Sequence, residues 1–268
     1  MKNVLRKFGC MAVVAGLLQL QSIAPAYAQA KTDLQSILDS KTVRVGAVEA
    51  TPWYSKDLLT NKWVGIVPDI MEAMFEKKGI KVEYVDTQWG TAVAGLQSGR
   101  FDLLGAYNET PERAKAIDFS KPIGALHMAV LTFGDPKNYA TWDQVNNPSV
   151  KLGAIDGAGA TRLLQPILTK TTWVVNSTSD AMFLGLESNR ADAIVTSDIQ
   201  ISQFIQKRHK GTMVIPTPLY SQPTNIGLRK SSDAALKQWL DNSLDQMRKD
   251  GSLDRIWSKY VVGAAGSK

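Results

Sequence analysis

Cysteine is almost absent: Cys10 is the single one in 268 residues, so neither a disulfide framework nor a cysteine-rich metal site can be built from this chain. Histidine is nearly as scarce, with only His127 and His209, which leaves no paired-histidine metal motif, and no Gly-x-Ser-x-Gly nucleophile elbow occurs. No cofactor is expected. The basic excess is also thin. The formal charge of +6 includes Lys2, Arg6 and Lys7 of an N-terminal leader, and what remains is scattered without a zinc-ligand cluster, so a nucleic-acid partner is not expected. The apolar stretch Met11 to Leu20 is about half of the ~20 residues needed to span a bilayer.

That stretch has a different use. A basic start, a short apolar segment and the small-x-small site Ala26-Tyr27-Ala28 form a Sec-type export signal. Residues 1–28 are therefore expected to be removed, leaving a cysteine-free protein from Gln29 in an exported compartment. At 44% hydrophobic and 21% charged residues over its 268 residues, the chain is rich enough in core formers to fold and too polar for a membrane bundle.

The mature chain alternates strand-like and helix-like segments. Val43 to Val48, Lys81 to Val85 and Phe101 to Leu104 read as strands, with helices from Asp69 to Lys78 and Gln88 to Ser98 between them. Pro68 suits a first helical position and Gly79 a helix end. The pattern recurs further on. Strands at Lys151 to Ile155, Thr172 to Val175, Ala193 to Thr196 and Thr212 to Ile215 alternate with helices at Ala160 to Leu168, Asp180 to Glu187 and Ile199 to Lys207. A literal echo, Leu-x-Ser-x-Arg-x-Asp, occupies Leu96–Asp102 and Leu186–Asp192. Two similar α/β lobes are expected, each a mostly parallel sheet covered by helices. Ligands of such sheets bind outside the carboxyl ends of the strands.

Arg113 is the most informative polar residue. In Thr110-Pro-Glu-Arg113, Thr110 is a good N-cap and Pro111 a good first residue, so the arginine falls in the first turn of a helix. A cation there opposes the helix dipole and needs an anionic partner. Two partners are open: a bound carboxylate, or an internal pair with Glu109, Glu112 or Asp118.

Trp89 to Asp102, Thr110 to Arg113 and Asp118-Phe-Ser-Lys-Pro122, followed by Gly227-Leu-Arg-Lys230 and Met247 to Tyr260, together resemble the family 3 extracellular solute-binding proteins of amino-acid-type ABC importers. The likeness runs from about Leu34 to Val261. It implies a two-lobed α/β fold of the periplasmic-binding-protein type II, a Venus flytrap whose chain crosses near His127 to Leu131 and returns near Leu219 to Thr224. Lobe 1 would hold residues 29–127 and 222–268, and lobe 2 residues 128–221. A periplasmic monomer is implied that captures a small carboxylate-bearing solute, an amino acid or derivative, and presents it to a membrane permease.

Carried over by the same resemblance, Arg113 is the ligand-carboxylate arginine, and Trp89 an aromatic that packs on the ligand, although its place on an apolar stripe equally suits the core. Gly157-Ala158-Gly159 matches a second-lobe loop whose amides help to hold the carboxylate. Its sequence lacks the Lys-Ser/Thr of a P-loop and the third glycine of a dinucleotide fingerprint. There are departures. The stretch from Asp102 to Thr110 is one residue short, with Ala106-Tyr107-Asn108-Glu109 where hydroxyl-bearing residues are common. Ser197 stands where the α-amino-binding aspartate is expected, with Asp198 one further. Three alternatives follow: Asp198 serves through a local shift, Glu109 takes the ammonium, or the ligand is not an ordinary α-amino acid. Asp198 also reads as a helix N-cap. Glu49, Trp53 and Tyr54, after the first strand, are further candidates for the cleft wall. Because cyclohexadienyl dehydratases share the fold class, an enzyme with Glu109 as general acid beside Arg113 is the competing reading.

Overall fold

A computed structural model describes residues 33–230 and 234–260. The expected leader, with Cys10 and the Ala26 to Ala28 site, lies outside the described residues, as does the chain from residue 261 onward. The first run of elements is α1 (Asp33–Ser40), β1 (Thr42–Ala47), a hairpin of β2 (Ser55–Lys56) and β3 (Trp63–Val64), α2 (Ile66–Phe75), β4 (Lys81–Asp86), α3 (Ala92–Gln97), β5 (Leu103–Asn108), α4 (Pro111–Ala116) and β6 (Ile117–Phe119). The long strand β7 (Gly124–Thr132) then leads to α5 (Trp142–Val145), β8 (Lys151–Ile155), α6 (Gly159–Leu164), β9 (Thr172–Asn176), α7 (Ser179–Glu187), β10 (Ala193–Ser197), α8 (Asp198–Arg208) and β11 (Thr212–Val214). A second long strand, β12 (Ser221–Arg229), returns the chain to α9 (Ala235–Lys249) and α10 (Ser252–Tyr260).

Among the described residues, eight strands run side by side in the order β4-β1-β5-β12-β7-β10-β8-β9, with β6 on β12 and β11 on β7. The order is two copies of one plan. In the first half β1, flanked by β4 and β5, is parallel to both, and β12 closes it antiparallel. In the second half β8, flanked by β9 and β10, is parallel to both, and β7 closes it antiparallel. The halves meet where Gly124 to His127 of β7 pairs with Ser221 to Thr224 of β12, after which β7 turns to β10 from Met128.

The repeated heptapeptide is the same device in both halves. Gly99 and Asn189, at its fourth position, both have positive φ (71° and 58°), a conformation that glycine and asparagine tolerate best. Each turn ends on an aspartate that grips the entering end of the central strand. The Asp102 amide donates to the Arg44 carbonyl at 2.8 Å while its carboxylate accepts the Arg44 amide at 2.9 Å. Asp192 does the same to Lys151, at 2.8 Å for both bonds. Asp102 additionally takes the Arg44 guanidinium at 2.7 Å.

Element bounds depart from expectation in three informative places. Helix α2 begins at Ile66, two residues before Pro68, because its first amides are satisfied by distant carbonyls: Ile66 N–H donates to Pro52 at 2.9 Å and Val67 N–H to Trp53 at 3.1 Å. A helix start capped by tertiary contacts leaves no local cap to read. Helix α3 begins at Ala92 rather than Gln88, so Trp89 sits in the preceding turn and off the helix stripe. The run Met247 to Tyr260, which resembles the final helix of that family, is divided between α9 and α10, broken at Gly251. Helix α10 packs on α9 and α2. Its Trp257 donates to the Ile123 carbonyl at 2.8 Å and meets Trp53 edge-on at 5.5 Å.

If the two aspartates are equivalent anchors, Asp102→Ala and Asp192→Ala should each lower the unfolding free energy by about 1.5–3 kcal/mol, the range for hydrogen bonds to a charged group. Urea titration checks this, with the exposed Glu83→Ala as a control expected within about 0.5 kcal/mol of the parent.

Candidate functional site

The carboxyl ends of the central strands in both halves converge on one cavity, as expected for sheets of this kind. Trp53 follows β1, Trp89 follows β4, Ala106 to Asn108 end β5, Ala158 to Ala160 follow β8, and Thr196 and Ser197 end β10. Arg113 of α4, Leu126 and Met128 of β7 and Gln200 of α8 complete the wall. The cavity volume is about 40 Å³, enough for water molecules. The two lobes touch directly around it. Gly157 (φ 67°) is so close to Gly90 that a Cβ would lie 2.5 Å from the Gly90 nitrogen, and Arg162 pairs with Glu112 at 2.6 Å.

Three consecutive residues of β5 line the cavity, which a regular strand does not allow because successive side chains alternate in direction. The alternation is broken at Ala106. It has φ 51°, and between the pairs Tyr107–Asn225 and Leu104–Gly227 strand β5 carries one residue more than β12. A left-handed alanine costs roughly 1–2 kcal/mol. The bulge in return turns Ala106, Tyr107 and Asn108 all to the cavity.

Arg113 is held from several sides. Thr110 caps α4 as expected, its hydroxyl accepting the Arg113 amide at 3.2 Å. The guanidinium lies 3.8 Å from the centre of the Tyr107 ring, donates through Nη1 to the Asn108 carbonyl at 2.8 Å and through Nη2 to the Gly157 carbonyl at 2.5 Å. Neither Glu109, Glu112 nor Asp118 takes it as an ion pair; its partners are neutral. The side chain is buried and its Nε finds no hydrogen-bond acceptor among the described residues. Burial lowers its pKa to about 10, which still leaves it cationic near neutrality. Tyr107 is itself stacked between Trp89 and Phe119, and burial raises its phenol pKa against the pull of the Arg113 charge.

Of the residues singled out in the sequence, Arg113, Trp89, Tyr107, Asn108, Ala158, Gly159, Ser197 and Trp53 meet at the cavity. Gly157 stands beside it, offering its carbonyl to Arg113 and Arg162. Three acids do not reach it. Glu109 is exposed, in a surface groove with Lys121 and Lys237. Glu49 is exposed, in a groove with Asp86 and Asp180. Asp198 faces the crossover strand: its carboxylate accepts the His127 amide at 3.2 Å and the Ile199 amide at 2.9 Å, and lies 3.1 Å from His127 Nδ1. It is not the N-cap of α8, because Ser197 takes that place by accepting the Gln200 amide at 3.3 Å. Tyr54 is core, fully buried with its hydroxyl accepting the Gly105 amide at 3.0 Å. Sequence reasoning missed Leu126, Met128, Thr196 and Gln200. Met128 lies within the expected crossover and Leu126 just before it, an i, i+2 pair on one face of β7; Thr196 ends β10 beside Ser197, and Gln200 lies in the first turn of α8.

A family model for bacterial extracellular solute-binding proteins, family 3, matches residues 43–263. The chain belongs to this family. A probable amino-acid ABC transporter-binding protein of Haemophilus influenzae is 24% identical to this family 3 protein, over 83% of this chain and 87% of that one. A probable histidine-binding protein of Neisseria gonorrhoeae is 25% identical, over 84% and 85%. The structure of an ancestral amino acid-binding protein, described as a precursor of cyclohexadienyl dehydratase, superposes with a TM-score of 0.78 at 28% identity, covering 86% of this chain and 99% of that one. The fold is the two-lobed type II architecture, and this family 3 protein is a solute-binding protein rather than an enzyme. The dehydratase reading also loses its proposed acid, since Glu109 lies outside the cavity.

The depressed pKa of Arg113 means that the unfolded chain holds this proton more tightly than the folded one. Its charge therefore disfavours folding below about pH 10, and the penalty eases as pH rises through that value. An anion in the cavity is expected to bind with an affinity that is flat from about pH 6 to about pH 9 and falls above about pH 10; calorimetric titration across that range checks it.

Proposed function

We propose that this protein, exported by a cleaved leader to the periplasm, captures a small carboxylate-bearing solute between its lobes as a monomer and delivers it to the membrane permease of an ABC importer. The solute is an amino acid or a derivative. The lobes are residues 29–127 with 222–268, and 128–221, swinging about β7 and β12. The observation that carries the reading is Arg113: a buried cation with an unpartnered Nε, in a cavity walled by both lobes. A bidentate carboxylate replaces neutral carbonyl partners with a charge, which is the stronger bond in a desolvated site. The neighbouring Trp53, Trp89 and Tyr107 give an amphipathic solute flat apolar walls. A cavity of about 40 Å³ admits a solute only when the lobes part, and reclosure would then bury it. The relatives named above, binding proteins for amino acids by their descriptions, support the same class.

The test is a thermal-shift and calorimetry screen of the mature protein, unfolded and refolded to strip carried-over solute, against small carboxylates. A solute at 100 times its Kd should add about 2.7 kcal/mol of stability. Arg113→Ala is expected to abolish that shift while keeping a cooperative unfolding transition, and Trp89→Ala to weaken binding about tenfold or more. Unchanged affinity in Arg113→Ala removes the carboxylate clamp.

A further inference from the structure

Among the described residues, the cavity wall contains one formal charge, Arg113, and no aspartate or glutamate. A zwitterionic amino acid brings a carboxylate that Arg113 can match and an ammonium that this wall does not. An unpaired ammonium in a closed, desolvated site is costly by several kcal/mol. Asp198 follows Ser197 in the chain, but its carboxylate is engaged by the His127 and Ile199 amides and the His127 ring. It also sits in the first turn of α8, where the helix dipole favours it in place.

The polar side chains of the second lobe at the cavity, Thr196, Ser197 and Gln200, are neutral and offer an ammonium no counter-charge. That group is donor-only and needs acceptors. Ser197 Oγ already accepts the Gln200 amide, which leaves its O–H to donate. The Thr196 hydroxyl donates to Gln200 Oε1 and Gln200 Nε2 donates to Ser179 Oγ at 3.4 Å, which leaves one N–H of that amide to donate. On the first lobe Asn108 Nδ2 is fixed on the Pro223 carbonyl at 2.9 Å, leaving Oδ1 as a neutral acceptor facing Gly159. Donors from one lobe and a neutral acceptor from the other suit an uncharged oxygen substituent.

Resting on the proposed carboxylate clamp, we propose that the preferred solute is the deaminated kind of amino-acid derivative, a monoanionic 2-hydroxy or 2-oxo carboxylic acid with an apolar or aromatic side chain, and that Ser197 determines this preference. The carboxylate pairs with Arg113, the 2-oxygen accepts from Ser197, and the side chain lies against Trp53, Trp89, Leu126 and Met128.

The experiment is calorimetry on refolded mature protein with matched triplets that differ only at the α-carbon: phenylalanine, phenyllactate and phenylpyruvate, and leucine with its 2-hydroxy and 2-oxo counterparts. The expected result is that a hydroxy or oxo acid binds at least about tenfold tighter than its amino acid. The hydroxy and oxo members tell which oxygen is preferred. Ser197→Asp, confirmed folded by its unfolding transition, should reverse the order by supplying the missing carboxylate. Asp198→Asn, which leaves Ser197 in place, should leave the order unchanged. Amino acids binding the parent as tightly as their hydroxy and oxo counterparts, with binding lost in Arg113→Ala, would overturn the preference and keep the clamp. Loss of amino-acid binding in Asp198→Asn would assign the ammonium to Asp198 and overturn it too. Binding of the triplets that persists in Arg113→Ala would sink the clamp itself.

Discussion

A buried guanidinium is the constraint around which the cavity is organised. Arg113 is out of water, and the cost of that is visible in its depressed pKa. What holds it there is neutral: the face of Tyr107, the Asn108 carbonyl and, from the other lobe, the Gly157 carbonyl. Each of these needs the backbone to be unusual. Tyr107 and Asn108 are both turned inward because Ala106 breaks the alternation of β5. Gly157 comes within reach because, without a Cβ and with positive φ, it lies directly on Gly90. Closure of the lobes and solvation of the arginine are thus one problem with one solution.

The scaffold that presents these groups is built twice from the same parts. A central parallel strand is clamped at its entry by the aspartate that ends a Leu-x-Ser-x-Arg-x-Asp turn, and the loops at its other end face the cavity. Two long strands, β7 and β12, join the copies and run antiparallel where they meet. The link between the halves is thus a pair of extended segments, and each sheet has its own hydrogen bonds. The first copy is reinforced by Trp257 of α10, which secures the start of β7 and backs the cavity residue Trp53.

The second copy is where solute discrimination would reside. Ser197 and Asp198 are adjacent in sequence yet opposite in role, because a strand ends and a helix begins between them. Ser197 caps α8 and borders the cavity; Asp198 turns back to His127 at the crossover. A shift of one residue at a helix start rotates a side chain by about 100°, which follows from 3.6 residues per turn. That rotation separates a carboxylate from a neutral hydroxyl at the cavity wall.

Much of this was legible in the amino-acid order. The alternation of strands and helices, the duplicated turn with its aspartate, and the Thr110-Pro111 start that aims Arg113 all depend on short-range periodicity, capping and turn chemistry, which a few neighbouring residues determine. What only the tertiary structure decided involves groups far apart in the chain. Helix α2 starts early because carbonyls of residues 52 and 53 receive its first amides. Trp89 leaves its helix because the turn that holds it packs on Gly157 of the other lobe. Glu109, Glu49 and Asp198 had the right chemistry and fell outside the cavity, since a side chain's direction is set by strand bulges and helix starts stabilised from across the fold. Residue type and local pattern named the lobes and the arginine; the partners of the arginine, and the absence of an acid among them, were settled by long-range packing.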